Sequence, residues 1–222
     1  MPADWSAPQD DVRTRILREA TRMFAARGFN GTSLSDIAGA VGIRKPSLLY
    51  HFPSKDELRK SVLELMLARW NELLPRLLRA ATSAKGQFDA VVHETVAFFV
   101  EDPDRARLLV REALNRPGEM GALVSKYVRP WAAVVCDYIR KGQEQGRVYA
   151  DVDPEAYVAQ IINLMISSIA TYECIGDVAP PGVAATEMRA RHIRELCRVA
   201  KSSLFLPDAA REEEPAGATK GS

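Results

Sequence analysis

Residues 28–58 read GFNGTSLSDIAGAVGIRKPSLLYHFPSKDEL, and their reading decides the fold. Ser33 is an N-cap, and Asp36 three residues on favours the positive end of a helix that turns Leu34, Ile37, Ala38 and Val41 inward. Gly42 allows a tight turn. A third helix begins near Lys45, takes Pro46 in its first turn, carries Ser47-Leu48-Leu49-Tyr50-His51-Phe52 and stops at Pro53. Two helices this short, joined by so brief a turn, have the size of a helix-turn-helix.

Working outward, the helix before this stretch sets Val12, Ile16, Leu17, Ala20, Met23 and Phe24 on one face and ends at Gly28. Ser6-Ala7-Pro8-Gln9 reads as its capping box. After the stretch, Ser54-Lys55-Asp56-Glu57 is a second capping box, opening a long fourth helix through Leu58, Val62, Leu65, Met66 and Trp70, with Pro75 expected to kink or end it.

The chemistry of the turn region suits a polyanion. Thr32 and Ser33 place hydroxyls and backbone N–H groups at a helix start, where phosphate is favoured. Lys45, Ser47, Tyr50 and His51 cluster on a helix too short and polar to be core, so they can face a major groove while Leu48 and Phe52 anchor it. Lys55 can reach a flanking phosphate.

The same stretch resembles the DNA-binding domain of TetR-family transcriptional regulators. Its G-F-x-x-T-S opening, the D-I-A of the second helix, the V-G-I turn and L-Y-H-F followed by S-K-x-E-L all fall in register. The resemblance covers roughly residues 10 to 60 and is architectural beyond them. Two positions depart from the family pattern. Arg44 stands where a small capping residue is usual and can add a phosphate or guanine contact; Leu49 stands where tyrosine is frequent and either removes a contact or packs.

Beyond the fourth helix, period-2 alternation is not sustained and apolar residues recur at helical spacing, so the chain reads as all-α with about nine helices. Gly86, Asp102-Pro103, Pro117-Gly118, Gly146, Asp153-Pro154 and Pro180-Pro181-Gly182 are expected to separate the segments of a larger bundle. The expected organisation is a DNA-binding head over residues 1–53, a ligand-binding and dimerisation body over 54–206, and a polar, disordered tail over 207–222.

Residues 155–176, EAYVAQIINLMISSIATYECIG, carry almost no charge between Glu155 and Glu173. A helix apolar nearly all round needs partners on more than one side. This helix and a final one over about 186–205, with Met188, Ile193, Leu196, Val199, Ala200 and Leu204 inward, are either the homodimer interface or a monomer's central core.

Signatures of catalysis are missing. His93-Glu94-Thr95-Val96-Ala97 lacks the second histidine of a zinc-protease helix, none of His51, His93 and His192 follows a Glu by three positions, and no GxGxxG, Walker-type loop or G-x-S-x-G elbow occurs. Cys136, Cys174 and Cys197 have neither disulfide nor zinc spacing and read as small buried hydrophobes. No cofactor or metal is implied. The N-terminus has acids where a signal peptide has bases, and no apolar run approaches the roughly 18 residues of a membrane span, so a cytoplasmic location is expected.

The 222 residues carry a formal net charge of +1, which conceals an asymmetry: residues 1–60 hold 10 Lys/Arg against 7 Asp/Glu, leaving 20 against 22 for the rest. A mildly basic head fits a nucleic-acid partner. The resemblance implies a homodimeric repressor that binds a palindromic operator in double-stranded DNA and is released by a small, largely apolar effector. It implies a pocket lined by helices after the fourth, with the fourth transmitting occupancy. Trp70, Phe98, Phe99, Leu109, Trp131, Tyr138, Asn163 and Met165 lie on those helices, as do Tyr172, His93, Arg111 and Asn115. Asn163 interrupts an apolar helix and must find a partner or be exposed. Rival readings are an activator, a ligand-independent regulator, or a helical enzyme or ligand carrier with a vestigial helix-turn-helix.

Overall fold

The computed structural model describes residues 11–80, 84–175 and 182–207. They form eleven helices: α1 (Val12–Arg27), α2 (Leu34–Val41), α3 (Lys45–His51), α4 (Lys55–Ala80), α5 (Ala84–Glu101), α6 (Pro103–Asn115), α7 (Pro117–Tyr127), α8 (Arg129–Glu144), α9 (Pro154–Ala170), α10 (Tyr172–Ile175) and α11 (Ala185–Ser202). The chain is all-α. Among the described residues the extended pairing is one antiparallel bridge, between Val148 and Phe205. The capping box at residues 6–9, Pro180-Pro181, the tail beyond residue 207 and the side chain of Trp70 lie outside the described residues.

Proline and aspartate start the body helices as their chemistry requires. Asp102 accepts from the backbone N–H of Asp104 and Asp153 from that of Ala156, each with proline in the first helical turn. Two expected interruptions differ, and two further breaks appear. Gly86 lies inside α5, where flanking helix formers outweigh the roughly 1 kcal/mol cost of one glycine. Helix α4 continues past Pro75 to Ala80. The expected nine helices become eleven because Pro130, which has no N–H to donate, separates α7 from α8, and because α9 ends at Thr171 before the single turn of α10.

One hydrophobic cluster passes through head and body without a break. Ile16, Ala20 and Phe24 of α1 meet Ile37 of α2, Leu48 of α3 and Leu58 and Leu63 of α4, and the cluster continues to Phe99, Leu108 and Ile169. The larger of these side chains, fully buried, contribute roughly 1.5–3 kcal/mol each. Helix α1 packs on α2, α4 and α6, while α6 also packs on α9, so the head rests on the body along two helices. Of the residues expected inward on the last helix, Leu196, Ala200 and Leu204 are buried, but Val199 is exposed. Leu65 of α4 is exposed as well.

At the far end of the body the turn after α8 folds back on its own helix. Arg147 N–H donates to Gly142 O at 2.9 Å, and a Cβ at residue 142 would meet Val148 Cγ2 at 2.6 Å, so only glycine admits this return. Tyr149 N–H donates to Leu204 O and Leu206 N–H to Arg147 O, which ties the end of α11 across the same turn.

Candidate nucleic-acid interface and ligand cavity

The helix-turn-helix is assembled from local bonds. Ser33 Oγ accepts from Asp36 N–H and Asp36 carboxylate accepts from Ser33 N–H, both at 3.1 Å. These two bonds hold the Asp36 carboxyl below its ordinary value of 3.8. Gly42 is left-handed, with φ 78° and ψ 30°, and Ile43 N–H donates to Ala38 O at 2.9 Å, closing α2 as the chain turns. Arg44 is the extended N-cap of α3 and makes no side-chain cap bond; its carbonyl accepts from Ser47 and Leu48.

Helix α3 then divides cleanly. Leu48 is fully buried and Phe52 nearly so. On the opposite side Arg44, Lys45 and Ser47 are exposed, Tyr50 is 86% exposed, and half-buried His51 meets the Tyr50 ring edge-on at 5.4 Å. Arg44, Ser47 and Tyr50 recur every three residues, which places them along one helix face. Leu49 is half-buried. Two cations of α1 brace this unit from behind: Arg15 donates to Val41 O, and the Arg13 guanidinium stands 5.2 Å from the Phe52 ring centre.

Two of the eight residues expected at DNA are engaged inside the protein. The Thr32 hydroxyl is buried, within bonding distance of Gly28 O at 2.9 Å and Met23 O at 3.1 Å. It therefore satisfies carbonyls at the end of α1 rather than facing outward. Lys55 Nζ donates to Thr32 O at 2.7 Å and lies 4.2 Å from the Phe29 ring centre. The outward set is Ser33, Arg44, Lys45, Ser47 and Tyr50, with His51 at its edge.

Phe29 marks the joint between head and body. Its ring is also approached by Arg116 at 4.6 Å and Arg59 at 5.6 Å. Arg59 of α4 is buried; it donates to Glu112 of α6 at 2.8 Å and to Glu119 of α7. Burial works against its charge, yet the two carboxylates raise its pKa above the ordinary value. Its Nε–H has no partner. On one sequence these residues read as solvated helix faces, and 53 positions separate Arg59 from Glu112, so no spacing rule announces the pair.

The body holds an apolar cavity of about 150 Å³, open to solvent on one side, between α4, α5, α6, α8 and α9. Phe99, Leu109, Trp131, Tyr138 and Met165 line it. Phe98 does not: it is buried under Arg105, 4.4 Å from its ring centre, and Arg69 at 5.2 Å. Asn163 is exposed, with its side-chain oxygen 3.5 Å from Ser167 Oγ, so the interruption of the apolar helix is resolved by solvent. Phe88, Tyr157, Arg147 and Phe205 complete the wall unforeseen. The spacing Phe88, Val92, Thr95, Phe99 along α5 is the signal that marks one face of that helix.

His93 and Asn115 are exposed, and Arg111 packs against Gly28. Tyr172 lies on a separate small pocket with His192, whose Nε2 is buried without a partner. Cys136 is buried, Cys197 half-buried and Cys174 exposed; burial raises the first two thiols above their ordinary pKa. Among the described residues, no His, Cys, Asp and Glu are grouped to hold a metal, and no helix is long and apolar enough to cross a membrane.

A buried-and-exposed α3 following a capped α2, on a helical body, defines a helix-turn-helix transcriptional regulator that binds DNA. Residues 16–62 match the family model for bacterial regulatory proteins of the tetR family, and residues 108–188 match that for a tetracyclin repressor-like C-terminal domain. The chain belongs to the TetR family of transcriptional regulators. Its fold is similar to that of the ketosteroid transcriptional regulator KstR2 of Mycobacterium tuberculosis (18% identity, 90% of this chain and 97% of that one, TM-score 0.68). It is also similar to the fatty acid degradation regulator FadR from Bacillus halodurans (15%, 86% and 97%, TM-score 0.66). A third likeness is to a putative regulator from Saccharomonospora viridis in complex with choline (20%, 89% and 100%, TM-score 0.65).

Proposed function

We propose that the chain is a cytoplasmic, homodimeric repressor that binds a palindromic operator and is released by a small apolar effector. The observation that carries the DNA half is α3 itself, with Leu48 fully buried while Arg44, Lys45, Ser47 and Tyr50 stand exposed on the other face. A twofold pair of such helices fits two major grooves one turn apart, hence an approximately palindromic site.

The cavity supports the ligand half. Leu67 of α4 and Leu109 of α6 both line it, and the same two helices carry Arg59 and Glu112 against the head. An effector that prefers the arrangement with the heads wrongly spaced lowers operator affinity by its differential affinity for the two states. The proposed division of labour is a head over residues 1–53 and a body over 54–206, with α4 belonging mechanically to both.

Footprinting the full chain on DNA flanking its own gene tests this reading. A protected site with twofold symmetry, abolished by Tyr50→Ala together with Lys45→Ala, is expected. In vitro transcription from that DNA should fall when the protein is added; a rise would make it an activator, and no retained fragment at low salt would remove the DNA-binding assignment.

A further inference from the structure

The cavity is built along α8, and two of its donors, Trp131 and Arg147, stand at opposite ends of that helix. Trp131 lies in the first turn; Gly142, the last lining residue of α8, is 11 positions later, about 16 Å along the axis at 1.5 Å per residue. Arg147 lies at that second end, held by its N–H bond to Gly142 O. Trp131 Nε1–H is buried with no acceptor among the described residues, a state that is unfavourable until an acceptor is supplied. Arg147 lines the cavity, and its one side-chain hydrogen bond is to the neutral amide of Gln145; it forms no ion pair among the described residues.

Two other polar groups of the described wall, Thr95 and Tyr157, are committed, and Tyr138 also lines it, between the two ends of α8. Thr95 Oγ1–H donates to Val91 O at 2.7 Å and Tyr157 Oη–H to Ala200 O. Among the described residues, no Asp or Glu lines the cavity. A cationic ligand would therefore enter without a carboxylate to meet it, whereas an anion would find Arg147.

Resting on the effector reading above, we infer that the effector is an elongated apolar carboxylic acid, its carboxylate at Arg147 and a second oxygen, a ketone or hydroxyl, received by Trp131 Nε1–H. The apolar body between the two ends spans the wall of Phe88, Phe99, Ile139 and Met165. Flexible chains and fused-ring acids share this chemistry, and a rigid body of matching length loses less conformational freedom on binding.

Isothermal titration of the full chain tests the inference with four probes built on a twelve-carbon chain and one fused-ring probe, all below micellar concentrations. They are 12-hydroxydodecanoic acid, dodecanoic acid, dodecan-1-ol, dodecyltrimethylammonium and 3-oxocholan-24-oic acid. Binding of at least one doubly oxygenated acid is expected, tenfold or more tighter than the alcohol or the cation; which of the two binds better separates the chain from the ring source. Arg147→Gln should weaken that acid about tenfold and leave dodecan-1-ol unchanged. Trp131→Phe should weaken the doubly oxygenated acid and not dodecanoic acid. Equal or tighter binding of the cation, no binding by either doubly oxygenated acid, or indifference to Arg147→Gln overturns the inference. Operator release is scored separately by gel shift, so an acid that binds with these preferences yet does not release DNA leaves the ligand assignment standing and removes the induction reading.

Discussion

Lys45 and Lys55 sit one at the start of α3 and the other at the start of α4, and in sequence they look equivalent as phosphate contacts. The structure separates them: Lys45 is exposed, while the Lys55 ammonium is bonded to Thr32 O and stacked on Phe29. Lys45→Ala should therefore weaken binding at all DNA sequences and reduce the slope of log affinity against log salt by about 1, without moving the melting temperature. Lys55→Ala should do the reverse, lowering the melting temperature by unpinning the loop between α1 and α2. A salt-titrated gel shift and a thermal melt on both variants decide the matter; equal salt slopes would restore Lys55 to the DNA face. Thr32 teaches the same lesson. A threonine before a helix can point its hydroxyl either way, and the choice is set by the carbonyls of Met23 and Gly28 at the end of α1, which are not visible from local sequence. By contrast Leu48 and Phe52 were legible, because an apolar pair four residues apart on a polar helix has one place to go.

Among elements, the first four helices were readable because each carries its own start signal: Ser33 bonds Asp36 N–H and Ser54 bonds Glu57 N–H. The joint between α4, α6 and α7 was not, since Arg59, Glu112 and Glu119 meet only by tertiary packing. Removing one partner from a buried ion pair costs about 3–5 kcal/mol, because the other charge is left stranded. Arg59→Met and Glu112→Gln should each destabilise strongly in urea unfolding, and the double variant should lose much less than the sum; additivity within about 0.5 kcal/mol would mean the pair is not coupled. Glu119 adds a pH dependence. Its hydrogen bond to Arg59, opposed by slight desolvation and aided by Arg116, holds its carboxyl below the ordinary 4.5. A depressed folded-state value means that its contribution is complete above 4.5 and is lost as pH falls through the lower folded value. Glu119→Gln should thus flatten the acid limb of melting temperature against pH between about 6 and 3, and an unchanged limb would place the acid sensitivity elsewhere.

For the molecule as a whole, the charge asymmetry takes on a sharper meaning. Of the basic residues in the first 60 positions, Lys55 and Arg59 point into the protein, and Arg13 and Arg15 brace α2 and α3, so a single head presents few free cations to phosphate. Tight binding then depends on two heads acting together, and linked sites can exceed one site's affinity by about 10²–10⁴ without a new contact. The expected dimer helices, α9 and α11, each leave a large apolar side chain exposed on the single chain, Leu164 at 37% and Val199 at 38%. Neither position lines the cavity or touches the joint at Phe29, so charge introduced there acts on association alone. Leu164→Glu with Val199→Glu should sediment as a folded monomer, keep the affinity of one head for a half-site, and lose at least a hundredfold in affinity for the full operator. A variant that stays dimeric in ultracentrifugation would move the interface to other helices. A true monomer that keeps full operator affinity would show that one head, despite its few outward cations, suffices.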